Sequence, residues 1–496
     1  MMALAGAVVA GSAVLLAGTG PEAHAAPAVP AAPAAHAAPA VPAAPVSGAW
    51  GSAAEAPGLA ALNANGRAEV LSVSCGPDGG CAAGGSYLDG GGNLQGFVVS
   101  QQDGTWGNAI EVPGLAALNT AGFGEVLTTS CGAAGICAAG GYFYDRRNHQ
   151  QAFVVSEQNG TWGNAIAVPG LAALSKGFAE VLTVSCDPVT GDCSAGGYYY
   201  DRHGQQGFVV SEQNGTWRRA IEVPGLAALN TGFKGLDAIA QVSAVSCGST
   251  GDCVAGGFYQ DRLGHGQAFV ATEKNGTWGK AIKPPGAAAL NAGGSAGITS
   301  LSCTSAGNCG AGGYYKDSHA HGQGLVASER NGTWGKAIAV PGLASLNKAG
   351  ARVYSVSCIS AGNCAASGGY TDHHGHGQGF VISKRNGTWG KAIEVPGLGA
   401  LNAGGSARTW SVSCGSASNC AAGGSYVNRN GDQQGFVVSE QNGTWAKAIE
   451  VPGLASLNEG VAQVSSVSCG PGGGCVAGGY YQDSLRQVQG FVVSQT

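Results

Sequence analysis

Residues 106–162 read WGNAIEVPGLAALNTAGFGEVLTTSCGAAGICAAGGYFYDRRNHQQAFVVSEQNGTW, and everything on either side is a variation on this phrase. Short runs rich in β-branched and aromatic residues alternate with Gly, Pro and Asn, the pattern of strands and turns. One strand ends at Cys131. A second starts at Cys137 and runs through Ala-Gly-Gly-Tyr-Phe-Tyr-Asp. A third is Gln-Ala-Phe-Val-Val-Ser, and Asn159-Gly160 then offers the positive φ angles of a type I′ hairpin. The fourth begins at the tryptophan and runs to Pro-Gly. Leu-Ala-Ala-Leu-Asn reads as a loop to the next unit. No window of helical period is long enough to cover a sheet, so the fold class is all-β.

Outward from this phrase, Trp106, Trp162, Trp217, Trp278, Trp334, Trp389 and Trp445 follow one another at spacings of 56, 55, 61, 56, 55 and 56, and Trp50 lies 56 before the first. Cysteine pairs keep step: Cys75/Cys81, Cys131/Cys137, Cys186/Cys193, Cys247/Cys253, Cys303/Cys309, Cys358/Cys364, Cys414/Cys420 and Cys469/Cys475. That makes eight units and uses all 16 cysteines. Four-stranded units of this length point to a β-propeller. A β-solenoid has shorter coils and lacks Asn-Gly hairpins. Residues 490–496 supply a third strand and residues 49–58 a fourth, so pairing them completes one unit. The expectation is a closed eight-bladed β-propeller over residues 47–496, its ring closed by the N-terminal strand pairing with the C-terminal blade. Each blade carries one disulfide, because C-x5-C around a turn differs from the spacing of zinc sites.

Residues 1–25 hold an apolar run followed by Ala23-His24-Ala25, which reads as a signal peptide, although no Lys or Arg precedes the run. The run is too short and too broken by Gly for a membrane span. Residues 26–46 are an Ala/Pro linker, read as an extended arm. Secretion and no membrane insertion are therefore expected. With 24 Lys+Arg against 29 Asp+Glu, a net charge of −5 and no basic cluster, nucleic acid is excluded as the main partner.

The candidate binding residues sit where the second strand runs into the third. The columns are Tyr87, Asp89 and Gln95; Tyr199, Asp201 and Gln206; Tyr259, Asp261 and Gln267; Tyr315, Asp317 and Gln323; Tyr370, Asp372 and Gln378; and Tyr481, Asp483 and Gln489. Phe143/Asp145/Gln151 and Tyr426/Asn428/Gln434 are the other two copies. A recurring Asn (Asn63, Asn119, Asn230, Asn291, Asn347, Asn402, Asn458; Ser175 once) joins the same rim. An aromatic face beside a carboxylate and amides suits a neutral sugar. The same Asp and Gln also suit hydrogen bonds to turn backbones, and recurrence alone does not separate the two. His319/His321 and His373/His374/His376 invite a zinc or copper reading against solvated loop filler. The tryptophans and the Gly-Gly and Phe-Val-Val runs read as core. Catalytic motifs are missing, so neither catalysis nor a cofactor is expected. Trp410, Arg352 and Arg408 depart from the repeat.

Across residues 50–496 the chain resembles secreted actinobacterial propellers with BNR-like repeats, through Val-Ser-Cys, the second Cys, the small-residue strand and Gly-Thr-Trp. Ser156–Trp162 is similar to the Asp-box of sialidases, but is one residue short and lacks the Asp at the matching place. No arginine triad of the sialidase kind can be assigned. The resemblance implies a lectin-like propeller that binds a carbohydrate or cell-surface glycan at several copies. The alternative is a protein-interaction scaffold or targeting subunit with a secreted partner, similar to the lectin-like subunits of actinobacterial toxin particles.

Overall fold

The structure, a computed structural model, describes residues 48–495 except 134, 234–237, 250, 251 and 306. The signal peptide and linker expected over residues 1–46 lie outside the described residues. The second unit shows how the sequence folds locally. Gly124–Cys131, Ile136–Tyr144 and Gln150–Gln158 form an antiparallel meander, and Cys131 faces Cys137 across the first pair. Asn159 and Gly160 turn the chain with φ of 51° and 77°, the type I′ geometry that the Asn-Gly pair favours.

The fourth strand differs from the sequence reading. It is split into Thr161–Trp162, paired with Glu157 and Gln158, and Ile166–Ala167, paired with Phe153 and Val154. Between them the backbone keeps one bond to the third strand, from the Gly163 N–H to the Ser156 carbonyl at 2.9 Å. The Leu-Ala-Ala-Leu segment also differs, since it makes one helical turn at Leu171–Leu174. Gly170, in the left-handed region at φ 77°, redirects the chain after Pro169 so that buried Leu171 can reach the core.

Eight such sheets occur. Numbered along the chain, sheet 8 consists of Ala462–Cys469, Cys475–Gln482, Val488–Ser494 and the N-terminal Ala54–Glu55. Ala54 pairs with Val492 and Glu55 with Phe491, while Trp50 faces Gln495. Sheets 3 and 4 also join by a parallel pairing of Gly204–Gln205 with Ala238–Ile239.

Hydrogen bonds from serine and threonine link the first strands of successive sheets. In every sheet the N–H of the first cysteine donates to a Ser Oγ in the sheet before: Cys131 to Ser74 (2.9 Å), Cys186 to Ser130 (3.0 Å), Cys247 to Ser185 (2.9 Å), Cys303 to Ser246 (2.8 Å), Cys358 to Ser302 (2.8 Å), Cys414 to Ser357 (3.0 Å) and Cys469 to Ser413 (2.9 Å). Cys75 of sheet 1 takes Ser468 of sheet 8 at 2.9 Å. Repetition of Ser immediately before the first Cys of each pair thus has a packing cause. It satisfies a strand-edge amide that would otherwise be buried bare.

All eight expected disulfides are present: Cys75–Cys81, Cys131–Cys137, Cys186–Cys193, Cys247–Cys253, Cys303–Cys309, Cys358–Cys364, Cys414–Cys420 and Cys469–Cys475. Each closes a hairpin within one sheet, with Cα–Cα distances of 3.9–4.0 Å. Although the sequence puts each pair around a turn, the bridges are not surface features. The second cysteine is buried in every sheet, with Cys81, Cys193, Cys253, Cys309 and Cys475 at 1–5% exposure and Cys137, Cys364 and Cys420 at 6–7%. Cys193, Cys253 and Cys309 belong to the apolar clusters between sheets, packed with Trp217, Trp278 and Trp334. These cysteines therefore act as core residues as well as staples. Eight disulfides fit an extracellular protein. Among the described residues no helix is long and apolar enough to cross a membrane.

Candidate functional site

The Asp and Gln columns singled out by sequence are brought together, and in five sheets their polar atoms bind one another. Asp372 Oδ1 accepts the His374 and His376 N–H groups at 2.8 and 2.9 Å, while Oδ2 accepts Gln378 Nε2 at 3.1 Å. The same pattern holds Asp89 with Gln95, Asp261 with Gln267, Asp317 with Gln323 and Asp483 with Gln489. Asp201 heads a shorter loop and accepts the His203 N–H at 2.7 Å. Burial raises the Asp89, Asp261, Asp317 and Asp372 carboxyls, but the amide donors together outweigh it and hold them below the usual range.

In seven sheets the Gln carbonyl then takes an Asn from the linker to the next sheet, and after sheet 2 Ser175 stands in place of that Asn. Asn119 Nδ2 donates to Gln95 (2.9 Å), Asn230 to Gln206 (3.0 Å), Asn291 to Gln267 (3.4 Å), Asn347 to Gln323 (3.2 Å) and Asn402 to Gln378 (3.1 Å). Asn63 of sheet 1 reaches Gln489 of sheet 8 at 2.9 Å. In sheets 1, 4, 5, 6 and 8 the result is a relay from turn to carboxylate to amide to amide across the boundary to the next sheet in order, sheet 8 reaching sheet 1.

The tyrosines are buried in the core. Tyr87, Tyr199, Tyr259, Tyr315, Tyr370 and Tyr481 are all less than a tenth exposed. Tyr87, Tyr199 and Tyr370 donate to Glu111, Glu222 and Glu394 of the split fourth strand at 3.1–3.2 Å. Burial first, and then the Glu55 and Asp483 charges, push the Tyr481 phenol up to about 12. Where Phe143 removes the hydroxyl, Ala167 stands in place of the glutamate.

Sequence reading gave no signal for a second feature, a groove that opens at three of the places where the fourth strand leaves the third. Three such grooves, of 360, 520 and 310 Å³, occupy equivalent positions between sheets 1 and 2, 2 and 3, and 5 and 6. In the first, Val98 and Ser100 make the floor, Trp106 and Ile110 one wall, and Trp162 of the next sheet the other. Trp162 Nε1 donates to Ser100 Oγ at 2.9 Å, which fixes the indole across the boundary. Gln102 lies over Gly160, where a side chain would collide with it. The grooves carry Gln102 and Asn108, Gln158 and Asn164, and Arg330 and Lys336 at matching places. Ile110, Ile166 and Ile338 are roughly two-fifths exposed beside them.

Buried glutamates recur at the sheet boundaries. Glu157, Glu212 and Glu273 accept Ser100 (2.6 Å), Ser156 (2.9 Å) and Ser211 (2.7 Å) from the preceding sheet. Burial raises all three carboxyls against the smaller opposing pull of the hydroxyl bonds, and raises Glu329 against the Lys274 charge and a hydroxyl bond. Gln101 and Gln495 fill the same position in sheets 1 and 8. A carboxyl raised on folding binds its proton more readily folded than unfolded. Its penalty is therefore absent at low pH and grows as pH climbs from the unfolded value through the folded one. The lowered aspartates act in the opposite sense, and their contribution is lost only as pH falls below the ordinary Asp range. Thermal stability should accordingly rise as pH is lowered from about 8 to about 5. The triple variant Glu157→Gln/Glu212→Gln/Glu273→Gln should flatten that slope and gain on the order of 1 kcal/mol per site at the upper end. Melting curves across pH test this, and a triple variant that is less stable than the parent at pH 8 refutes it.

His319 and His321 stack at 6.0 Å between ring centroids, and His374 and His376 lie 6.0 Å apart. Among the described residues no group of three or more His, Cys, Asp or Glu is arranged to hold a metal.

No protein-family model matches the chain, and no curated protein does. Among solved structures it is similar to the Trypanosoma rangeli sialidase in complex with the inhibitor DANA (12% identity, TM-score 0.36, covering 78% of this chain and 56% of that one). It is also similar to a Hadza microbial sialidase (10%, TM-score 0.33, 86% and 65%) and to Chaetomium thermophilum Sqt1 (11%, TM-score 0.46, 87% and 95%). The chain thus spans 56% and 65% of the length of the two sialidases. At such identities no residue role passes to this chain.

Proposed function

We propose that this chain is a secreted, non-catalytic propeller of eight blades, closed into a ring, that binds carbohydrate at several equivalent places. The carrying observation is the recurrent groove. It combines an indole edge, an exposed isoleucine and a long amide or cationic side chain at the same position in sheets 1, 2 and 5. Ring closure is supported by the Cys75–Ser468 bond, which repeats between the last and first sheets the link made at every other boundary, and by the Asn63–Gln489 bond, which repeats the link made at every other boundary except that between sheets 2 and 3. In this reading the Tyr, Asp and Gln columns shape the loops and fix the sheet boundaries, and the sugar is met by the grooves. One groove gives weak binding, and several presented together give avidity.

A glycan array with residues 48–496, with free sugars as competitors, tests the reading. Sugar-competable binding is expected. Ile110→Arg should lower avidity a few-fold, and blocking three grooves by Ile110→Arg, Ile166→Arg and Ile338→Arg should lower it by about tenfold or more. A blank array with folded, oxidised protein would reject it.

One observation favours a protein partner as the second reading. On sheets 2 and 3, Phe123 packs on Tyr144, and Phe178 on Tyr198 and Tyr200, with centroids 5.4–6.1 Å apart. Phe123 is 55% exposed. Such an aromatic patch, confined to one sector, suits a single partner better than an eightfold one.

A further inference from the structure

One sector breaks the repeat in a coordinated way. The second residue of the first strand is Glu or Gln in five sheets and Gly297 in sheet 5, but it is Arg352 in sheet 6 and Arg408 in sheet 7. Two residues further on, where other sheets have Leu, Ser or Thr, these two carry Tyr354 and Trp410. Arg408, Trp410 and Tyr354 pack together, and Arg352 stands two residues before Tyr354 on the same strand. Arg352 reaches back to sheet 5 and places its guanidinium 4.3 Å from the centre of the Tyr314 ring. Arg408 lies 5.7 Å from the centre of Trp410, and Trp410 packs on Tyr354 with centroids 4.8 Å apart at 45°. Trp410 Nε1 donates to Ser425 Oγ at 3.2 Å, which sets the indole plane.

Gly369 makes the room. A Cβ there would approach both Arg408 Cγ and Tyr354 Cε2 to 3.3 Å. The other sheets have Ser, Tyr or Phe at that place.

Both guanidiniums are exposed, and neither lies within ion-pair distance of a carboxylate among the described residues. Arg67 and Arg385, by contrast, pair with Glu69 and Glu440. Aromatic faces hold and orient the two cations without neutralising them. What they leave unfilled is a double-cation anchor beside a half-buried aromatic platform.

We propose that Arg352, Arg408, Tyr354 and Trp410 form a single binding site for an acidic saccharide, its carboxylate or sulfate taken by the guanidiniums and its C–H face by the Trp410–Tyr354 pair. The choice of a saccharide rests on the glycan-binding reading, whereas the position and the negative charge do not. The site is distinct from the grooves, which are built on the outer strands of each sheet.

The test is calorimetric titration of residues 48–496 with three probes: an oligogalacturonate, a heparin-derived hexasaccharide and a poly-glutamate peptide of similar charge. Arg352→Gln and Arg408→Gln place in these sheets the residue that Gln241 and Gln463 already supply elsewhere, so both variants should fold. Trp410→Leu likewise copies Leu71, Leu127 and Leu182. At least one acidic saccharide should bind with one equivalent per chain, more weakly as salt is added. Each Arg variant should lose about tenfold in affinity, and Trp410→Leu several-fold. Which saccharide binds separates carboxylate from sulfate as the recognised group. Failure of both saccharides to bind at millimolar concentration, an unchanged affinity in Arg352→Gln and Arg408→Gln, or tighter binding of the peptide would each overturn the proposal. A blank neutral-glycan array leaves it standing if the acidic saccharide still binds, whereas groove binding without acidic-saccharide binding defeats this proposal alone.

Discussion

Gly141→Ala should prevent sheet 2 from forming, at a cost above about 4 kcal/mol. A Cβ at Gly141 would sit 1.9 Å from the carbonyl oxygen of Glu125 in the neighbouring strand, far inside van der Waals contact. That carbonyl adjoins the irregular step between Val126 and Thr128, where the first strand carries one extra residue, and the backbone around it is already committed to pairing. The equivalent distances at Gly85, Gly197, Gly257, Gly313, Gly368, Gly424 and Gly479 are 1.8–2.0 Å, and all eight sheets have glycine at this position. The preceding position is a built-in control. A Cβ at Gly140 would meet the side chains of Val181 and Val184, which have some freedom to shift, and Ser367 fills that position in sheet 6. Gly140→Ala should therefore cost about 1–3 kcal/mol, as overpacking does. Melting curves of the two variants side by side decide the matter, and equal losses would mean that the bulge carbonyl yields.

Trp50→Ala should cost about 3 kcal/mol or more. The indole is 8% exposed and packs in the core of sheet 8 with Val437, Val451 and Val493. Its Nε1 donates to Ser439 Oγ at 3.2 Å, the bond made by Trp162, Trp217, Trp278 and Trp445 to their own preceding sheets. Only in sheet 8 does this residue come from the other end of the chain. Loss of Trp50 should therefore also fray Ala54–Glu55 from Phe491 and Val492 and expose the last strand to protease. Trp217→Ala should lower stability by a similar amount without that local exposure. A Trp50→Ala protein that melts like the parent would show that the N-terminal segment adds nothing to sheet 8.

The strands, the Asn-Gly hairpins and the disulfides were legible because each depends on residues close in sequence. Asn159 and Gly160 determine a turn by themselves, and Cys131 finds Cys137 six residues away. The burial of Cys81, Cys193, Cys253 and Cys309 was not legible in the same way, because the neighbouring sheet covers them. What the Asp and Gln columns do depends on partners in other loops. That Gln95 accepts from Asn119 of the following linker, or that Tyr87 spends its hydroxyl on Glu111, cannot be read from spacing. The helical turn at Leu171–Leu174 escaped because four residues carry no period. The grooves escaped for a different reason: they arise where a strand leaves its neighbour, a matter of backbone path. Arg352, Arg408 and Trp410 were visible as exceptions, but only the fold joins them, since Arg352 finds its aromatic ring in the preceding sheet.

The short span of the disulfides bears on how the chain is oxidised. Sixteen thiols admit about two million complete pairings, yet here every cysteine is joined to its nearest neighbour along the chain, six residues away in seven cases and seven in the other. Were the chain oxidised as it emerges, each pair would be complete before the cysteines of the next pair arrive. Correct bonding would then follow from order of arrival, with no bond to be reshuffled once the sheets begin to pack.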